Sequence, residues 1–481
     1  MKYEVVIGLE THVELATQSK LFCSCGGHSS RVEPNDCVCP ACCGMPGMLP
    51  VMNRRVVELA VSAGLLLNCE INQYTTFDKK SYYYPDLPCA YQITQWFHPV
   101  CVNGAVEVQT RNGSRTIGIK QIHIEEDAGK LVHDDWTDTT LVDFNRTSVP
   151  LIEIVSRPDF RSAEEALAYL EKIKSMFRYA KISECEDGAM RCDVNISIRP
   201  EGSEELGVRT EIKNMSSFFA IERAINYEIA RHTDALERGT EVLVQETRRW
   251  DETKGKTFSM RNKETAADYR YFPDPNLMPI YIDDAWLGQI RSSLPETPEQ
   301  KSAEYAALGL SPKDIGTLIA ERNLCDLLDG AMKQGVEAKT ASGWILTECC
   351  GWLRKKGRSV GSLELSPAKL ARIIRLVEEK TITRASGKRV LEAVLESDVD
   401  PDEYCRSNAL HAQGDESAIK EVVAKVIREN PKAVRDILSG KGKAVQALFG
   451  GCMKELRGNG DPAVIRKLLD EELENIRKAA T

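Results

Sequence analysis

The sequence lacks the apolar runs that mark membrane and secreted proteins. Its 481 residues contain no run of about 18 apolar residues, and no apolar run follows a basic start. These absences predict a cytoplasmic protein without membrane contact. Because the cytosol keeps thiols reduced, we expect its 16 cysteines to be thiols or metal ligands rather than disulfides.

Several motifs of nucleotide-binding and hydrolytic enzymes are also missing. Gly255-Lys256-Thr257 resembles the end of a phosphate loop, but Trp250 stands where that loop requires its first glycine. No G-x-G-x-x-G fingerprint follows a predicted strand, and the sequence has neither a G-x-S-x-G elbow nor a serine-rich amidase segment. If ATP is used, metal ions, lysines and arginines must therefore hold its phosphates.

The composition is that of a globular protein with several domains. Apolar residues make up 42% of the chain and charged residues 28%. A chain of 481 residues is too long to fold around one ordinary hydrophobic core, so roughly two to four domains are expected. The net charge of −9 argues against a protein that coats nucleic acid, although it is compatible with a local basic surface.

Two acidic stretches, 8–14 and 122–127, have the residue pattern of strands. Because side chains alternate along a strand, Glu10, His12 and Glu14 share one face. Burying these groups unpaired would be costly, whereas one or two divalent cations would neutralise the carboxylates and orient a phosphate. The alternative is an exposed strand with a polar outer face. The second acidic run favours a site.

A third stretch, 188–197, predicts another polar strand face and thus the opposite wall of the same cavity. The segment 77–86 is dense in lysine and tyrosine, which can stack a base or face a phosphate. An ordinary aromatic sheet edge is the alternative there, and composition alone favours it. The polar face of the third strand carries Arg191, Asp193, Asn195 and Ser197.

A dense cysteine cluster predicts a structural zinc site. The pairs Cys23/Cys25 and Cys39/Cys42 have the spacing of a zinc ribbon, and the C-x-x-C turn presents both sulfurs to one ion. Four thiolates leave no open position, which favours structural over catalytic zinc. Such a knuckle contributes about 10–16 kcal/mol of apparent folding free energy locally. Cys37 and Cys43 are alternative ligands.

Beyond the proline-containing segment 294–298 the sequence predicts helices almost throughout. Ser311-Pro312 and Ser366-Pro367 are helix start signals. Gly309, Gly330 and Gly335 predict helix stops or turns.

The helical pattern is interrupted around 398–401. A small helical tail with a basic segment follows. Residues 437–459 carry four basic residues against one acidic residue, Glu455, a local charge of +3. On an acidic protein this predicts a contact with a nucleic-acid backbone, and a solvated helix face explains it equally well. The basic residues are Lys441, Lys443, Lys454 and Arg457.

Six motifs, in this order, resemble the B subunit of aspartyl/glutamyl-tRNA amidotransferases, of the bacterial type within the GatB/GatE family. The resemblance spans the whole chain. The motifs are VIGLETHVEL (6–15), YPD (84–86), HIEEDAGK (123–130), PLIEIV (150–155), RCDVN (191–195) and DYRYFP (268–273).

The resemblance implies an α+β protein: a β-rich cradle over 1–294 with a zinc knuckle at 23–43, a helical domain over 295–411, and a tRNA-binding helical tail over 412–481. It implies that ATP phosphorylates the side-chain carboxylate of Glu on tRNA(Gln) or Asp on tRNA(Asn), and that ammonia displaces the phosphate. The implied cofactors are ATP, Mg²⁺ and structural Zn²⁺. The implied partners are the amidase (the A subunit), the small C subunit of the same heterotrimer, and the mischarged tRNA.

Carried over residue by residue, the resemblance implies a metal-binding kinase site. Thr147-Ser148 departs from the family's small residue and glycine, which leaves the local turn open, and 450–458 follows the tail motif only loosely. A zinc-stabilised RNA-binding scaffold without chemistry is the competing hypothesis. The implied Mg²⁺ ligands are Glu10, His12, Glu125 and Glu126, which with Asp193 are also the catalytic residues. The implied ATP and phosphate ligands are Lys80, Arg191 and Asn195, while Glu14 is assigned a supporting role.

Overall fold

The computed structural model describes residues 2–27, 32–134, 136–186, 188–262, 269–410, 416–438, 444–456 and 462–479. The chain divides into two compact units, Met1–Pro298 and Glu299–Thr481. The first unit combines strands with helices, whereas the described part of the second is helical, so the predicted α+β class is confirmed.

The first unit contains a large sheet, several short ones and a few helices. Its helices are α1 (Arg54–Leu66), α2 (Ala163–Tyr179), α3 (Phe218–Arg238) and α4 (Asp284–Ser293). Its strands are β1 (Tyr3–Glu14), β2 (Glu70–Ile71), β3 (Tyr74–Thr75), β4 (Asp78–Ser81), β5 (Tyr91–Thr94), β6 (Cys101–Thr110), β7 (Gly113–Glu126), β8 (Lys130–Asp134), β9 (Thr139–Asp143), β10 (Pro150–Ser156), β11 (Met190–Pro200), β12 (Thr210–Met215), β13 (Glu246–Asp251), β14 (Lys256–Asn262), β15 (Phe272–Pro273) and β16 (Ile280–Tyr281).

Nine strands form one sheet in the order β14-β13-β12-β11-β1-β10-β7-β6-β2. Neighbouring strands are antiparallel except β12 and β13, which run parallel. Along the central strand β1, Ile7, Leu9 and Val13 are buried in a core that they share with α1, α2 and α3. Because side chains alternate along β1, Glu10 and His12 face the opposite, polar side of the sheet.

A short three-stranded sheet, β15-β4-β5, lies beside the acidic end of β7. Ile93 N on β5 donates to Glu126 Oε1 at 2.9 Å, and Gln92 Nε2 donates to Glu126 O at 2.7 Å. Ile124 N donates to Gln95 Oε1 at 2.9 Å. These bonds hold the short sheet at the edge of the polar face.

The helices of the second unit include a group, α13 to α16, with a core of its own. Among the described residues every helix is too short or too polar to cross a lipid bilayer. A π-helical segment, Trp344–Cys349, joins α8 to α9, and Val360–Ser362 forms a 3-10 turn. The α-helices are α5 (Pro298–Ala307), α6 (Pro312–Ile319), α7 (Arg322–Lys333), α8 (Ala338–Gly343), α9 (Cys350–Lys355), α10 (Pro367–Glu378), α11 (Arg384–Ser397), α12 (Pro401–Ser407), α13 (Glu416–Glu429), α14 (Pro431–Leu438), α15 (Ala444–Glu455) and α16 (Pro462–Ala479).

Most of the predicted helix boundaries are confirmed. Ser311 and Ser366 each precede a helix that starts at proline, and Gly309 and Gly335 have positive φ angles of 78° and 88° just after a helix. The prediction for Gly330 is wrong, because this residue lies inside α7. A Cβ there would come within 2.5 Å of the Pro367 side chain, so glycine allows α7 to pack closely on the start of α10.

Candidate functional site

The polar face of the large sheet brings His12 next to two carboxylates. The pairing of β1 with β10 places Glu153 opposite His12. His12 Nε2 lies 3.2 Å from Glu125 Oε1 and 3.6 Å from Glu153 Oε2. His123 Nε2 lies 2.9 Å from Glu153 Oε2 and 3.8 Å from Glu125 Oε2. The ligand atoms of His12, Glu125 and Glu153 are within 4.8 Å of one another, close enough to hold one metal ion; we call them the imidazole group.

The imidazole group is strongly ion-paired. Burial lowers the pKa of His12, but the carboxylates of Glu153 and Glu125 outweigh it and raise that pKa to about 9. Burial raises the pKa of Glu125, but hydrogen bonds from His12 and His123 hold it well below its ordinary value. Because a metal-ligating histidine must be neutral, His12 would release a proton on binding a cation here.

A second group of carboxylates forms on the neighbouring strands. Glu10 on β1 lies opposite Asp193 on β11, and Glu211 on β12 lies opposite Asn195 on β11. Oxygens of Glu10, Asp193 and Glu211 lie within 4.8 Å of one another; we call these three residues the carboxylate group. Asn195 Nδ2 donates to Glu10 Oε1 at 3.0 Å. Asn195 therefore orients a member of the group.

Lys213 lies against the carboxylate group. Its Nζ is 2.6 Å from Asp193 Oδ2 and 3.1 Å from Glu211 Oε1. Burial lowers the pKa of Lys213, but the two carboxylates raise it above its ordinary value. The ammonium group is therefore charged and shared between two carboxylates.

The residues of this face fit a magnesium-dependent site. Carboxylates and amide oxygens are the ligands that Mg²⁺ prefers, and a histidine beside them suits a divalent cation. Asn195 Oδ1 is buried next to the carboxylate group and accepts no hydrogen bond from the part of the chain that the structure describes. A cation or its bound water would satisfy this oxygen.

The structure places Glu126 apart from both groups. It follows Glu125 on β7, so its side chain points to the other side of the strand, where Ile93 N donates to it. Burial raises the pKa of Glu126 to about 7. Glu126 lines a cavity of about 320 Å³ beside the cysteine cluster, together with Ser148. Ser148 has a positive φ of 64°, so serine adopts at this turn the conformation that glycine favours.

Arg191 points from β11 toward Asp127. Arg191 Nη2 lies 2.5 Å from Asp127 Oδ2, and Arg146 Nε lies 3.3 Å from the same oxygen. Burial and the Asp127 carboxylate raise the pKa of the adjacent Glu14. Arg191, which lies opposite His12 in the pairing of β1 with β11, is thus held by an ion pair.

Lys80 lies in an aromatic cluster on the short sheet. Its Nζ is 4.9 Å from the ring centre of Tyr269 and 5.5 Å from that of Tyr82. Tyr271 stacks on Trp96 with 4.4 Å between ring centres. Burial, followed by the charges of Glu125 and Glu153, raises the pKa of Tyr271. Gln95, the residue before Trp96, accepts from Ile124 N on β7, so the cluster lies next to the acidic face. The lysine and the aromatic rings therefore line the edge of the site.

The four predicted zinc ligands converge. The Sγ atoms of Cys23, Cys25, Cys39 and Cys42 lie within 4.8 Å of one another. In a tetrahedral zinc site with Zn–S bonds of about 2.3 Å, sulfurs are separated by about 3.8 Å, and the Cys39 and Cys42 sulfurs are 3.8 Å apart. The cluster can therefore bind zinc, whereas Cys37 and Cys43 lie outside the group that could share the ion.

A buried lysine ties the cysteine cluster to the rest of the unit. Lys20 is fully buried, and its Nζ donates to Cys37 O at 2.9 Å, Cys42 Sγ at 3.6 Å and Phe144 O at 3.5 Å. Asn145 Oδ1 accepts from Cys37 N at 2.8 Å. The loop before β10 is thereby fixed to the knuckle.

The predicted basic surface of the tail is described at one position. Lys454 is exposed on α15. Lys441, Lys443 and Arg457 lie outside the described residues.

Three residues in or beside the two groups were not selected as site residues from the sequence. Glu153 is part of a motif that was quoted, but it alternates with apolar residues of an almost fully buried strand and gave no separate signal. The polar segment 211–214 extends the pattern of 188–197, but the place of Glu211 and Lys213 in the site depends on the pairing of β12 with β11. Side chains alternate between the two faces along 150–155, so the pairing of this strand with β1 would have placed Glu153 on the polar face.

Comparison with known proteins identifies the class. Residues 5–288 match the family model described as the GatB/GatE catalytic domain, and residues 326–473 match the GatB domain. Both candidate metal groups and the cysteine cluster lie within the first match.

Full-length relatives are similar over almost the whole chain. Proteins of Caldicellulosiruptor bescii and Agathobacter rectalis are each 47% identical, over 99% and 98% of this chain and 100% and 99% of their own lengths. A protein of Carboxydothermus hydrogenoformans is 45% identical over 98% of this chain and 99% of its own length. Each is named as the B subunit of aspartyl/glutamyl-tRNA(Asn/Gln) amidotransferase. The chain belongs to the GatB/GatE family of amidotransferase B subunits, which confirms the resemblance and disfavours a scaffold without chemistry.

Proposed function

We propose that this chain activates a mischarged tRNA within an amidotransferase. ATP phosphorylates the side-chain carboxylate of Glu on tRNA(Gln) or of Asp on tRNA(Asn), and ammonia displaces the phosphate to give Gln-tRNA(Gln) or Asn-tRNA(Asn). The observation that carries the proposal is the presence of the imidazole group and the carboxylate group on one sheet face, on adjacent strands. The name shared by the relatives supports the substrate class.

The side chains of the two groups bind and orient in this proposal. His12, Glu125 and Glu153 would hold one divalent cation, and Glu10 and Asp193 belong to the group that would hold another. Mg²⁺ bound in such a site offsets the negative charge on a phosphoryl group during its transfer. A carboxylate is a poor electrophile, and phosphorylation gives it a leaving group that ammonia can displace.

The remaining predicted residues surround the two groups. Lys80 and Arg191 supply positive charge for the phosphates of ATP, and Asn195 fixes Glu10. Glu126 is also one of the proposed catalytic residues, although its side chain lies on the other side of β7. Because acyl phosphates hydrolyse readily, the intermediate requires shielding from water, which the aromatic cluster at the edge of the acidic face would provide.

The chain is proposed to work with other proteins in the cytoplasm. The sequence has no amidase motif, so ammonia would come from a partner amidase, the A subunit, and the small C subunit would complete a heterotrimer. In this scheme residues 1–294 form the catalytic cradle with a structural zinc, 295–411 a helical domain, and 412–481 a tail that contacts tRNA through Lys441, Lys443, Lys454 and Arg457.

The test is ATP hydrolysis that depends on mischarged tRNA, measured after reconstitution with the partner proteins. Glu125→Gln and Asp193→Asn remove a charge from each group with little change in shape, and each is expected to abolish hydrolysis and amide formation. Glu4→Gln is the matched control, because Glu4 lies on the same face of β1 but pairs with Arg161 and Arg199. It should leave the rate unchanged.

Two outcomes would overturn parts of the proposal. Undiminished hydrolysis in both variants would exclude the phosphorylation step and favour a scaffold role. Supplying each mischarged tRNA separately distinguishes the two substrates, and a chain that converts neither in the complete complex is not the activating component.

A further inference from the structure

In the part of the chain that the structure describes, Lys213 makes contacts that differ from those of Lys80 and Arg191. Lys80 lies against tyrosine rings and Arg191 against Asp127, outside both candidate metal groups. Lys213 Nζ instead contacts two of the three residues of the carboxylate group, Asp193 at 2.6 Å and Glu211 at 3.1 Å. It therefore occupies a position that a bound cation would need.

Hydrogen bonds from neighbouring residues hold each side chain of the carboxylate group in place. Asp193 Oδ1 accepts from Asn214 N at 2.8 Å, and Glu211 Oε2 accepts from Thr247 Oγ1 at 3.2 Å. Glu10 Oε1 accepts from Asn195. Each carboxylate thus accepts a hydrogen bond from a neutral donor, and Lys213 adds a full positive charge beside two of the three.

The imidazole group is built differently. The side chains that contact its carboxylates are the imidazole rings of His12 and His123, and an imidazole nitrogen is itself a possible metal ligand. The ammonium of Lys213 has no lone pair while charged and cannot become a ligand in that state. A nitrogen of His12 can itself ligate a divalent cation, whereas such a cation can fully occupy the carboxylate group only if Lys213 moves.

The side chain of Lys213 is able to move. About 34% of it is exposed, and its ammonium group sits on a flexible four-carbon stem. Mg²⁺ binds oxygen at about 2.0–2.1 Å, much closer than the ammonium approaches Asp193 and Glu211. The two cations would therefore compete for the same oxygens.

We propose that Lys213 is a displaceable counter-ion of the carboxylate group. Its ammonium group bridges Asp193 and Glu211 until a divalent cation binds Glu10, Asp193 and Glu211, and it then turns toward the phosphate that this cation neutralises. Lys213 thereby makes loading of the carboxylate group weaker than loading of the imidazole group. The inference rests on the proposed metal site, but its test measures metal binding and not amide formation.

The test is Mn²⁺ binding to the purified full-length chain, followed by electron paramagnetic resonance. The wild-type chain is expected to bind one Mn²⁺ tightly and a second weakly. Lys213→Met removes the competing charge and should tighten the second site about tenfold or more, whereas Lys213→Arg should keep it weak. Lys254→Met is the matched control, since it removes a lysine from an exposed turn of the same unit and should bind as wild type does.

A second measurement leaves the sequence unchanged. The rate at which an amine-acylating reagent modifies Lys213 is followed by mass spectrometry with and without Mn²⁺, with Lys254 as internal reference. Displacement predicts a several-fold rise at Lys213 alone. A rate that Mn²⁺ does not change, or a second site that Lys213→Met weakens or leaves as it was, would overturn the counter-ion assignment and leave the phosphorylation proposal standing.

Discussion

Glu10 and Asp193 lie directly opposite each other on β1 and β11, so two carboxylates occupy one cross-strand pair. Like charges in this position destabilise a sheet. Lys213 contacts Asp193 and Asn195 donates to Glu10, and both contacts offset part of this repulsion.

The first prediction concerns this pair. Glu10→Gln should raise the stability of the chain in Mg²⁺-free buffer by roughly 0.2–1 kcal/mol, because it removes one of two opposed charges and keeps an oxygen for Asn195. The same variant should lose amide formation in the reconstituted complex. Thermal unfolding with and without Mg²⁺ measures the first effect. A lower melting temperature than wild type would contradict it.

The second prediction concerns zinc. Elemental analysis should find about one zinc per chain, bound by Cys23, Cys25, Cys39 and Cys42. Cys42→Ser should lose the metal and expose the knuckle to limited proteolysis, because zinc supplies about 10–16 kcal/mol locally. Cys43→Ser is the neighbouring control and should retain zinc. Absence of zinc from the wild-type protein would exclude the assignment.

The third prediction is a pH dependence of stability. Glu228 is fully buried, and although burial raises its pKa, hydrogen bonds from His232, Arg231 and Thr257 lower it from 4.5 to about 2. A lowered pKa stabilises the fold above the unfolded-state value, and this stabilisation is lost as pH falls from about 4.5 toward 2. The contribution is on the order of 3 kcal/mol at neutral pH.

Glu228→Gln should therefore destabilise the first unit at pH 7, and the difference from wild type should shrink between pH 4.5 and pH 2. Thermal unfolding across this range measures both quantities. A difference that stays constant with pH would show that the carboxylate charge of Glu228 is not what stabilises α3 against β13 and β14.

The fourth prediction concerns the tail. Removing residues 412–481 should weaken tRNA binding in a salt-sensitive way and leave assembly of the complex intact, since α13 to α16 have their own core. Lys454→Ala should make the tRNA affinity depend less steeply on salt concentration. Lys425→Ala is a control within the tail, because Lys425 already pairs with Glu455 at 3.1 Å. Unchanged tRNA affinity after the truncation would remove the tail from the binding surface.

The site residues that could be predicted from the sequence are those marked by a short sequence pattern. Glu10 and His12 on one face of β1 follow from the two-residue period of a strand, and the cysteine pairs follow from the reach of a C-x-x-C turn. Glu153 and Glu211 enter the two groups only through strand pairing across long sequence separations, which no short pattern encodes. The prediction for Gly330 failed for the same reason. Glycine is needed at this position because Pro367 of another helix leaves no room for a Cβ atom.

The buried Lys20 links the cysteine cluster to the large sheet. Its ammonium group joins Cys42 to the carbonyl of Phe144, and Leu21 N donates to Ser148 O just before β10, the strand that carries Glu153. Damage to the cysteine cluster would thus be transmitted through Lys20 and Leu21 to the start of the strand that carries Glu153.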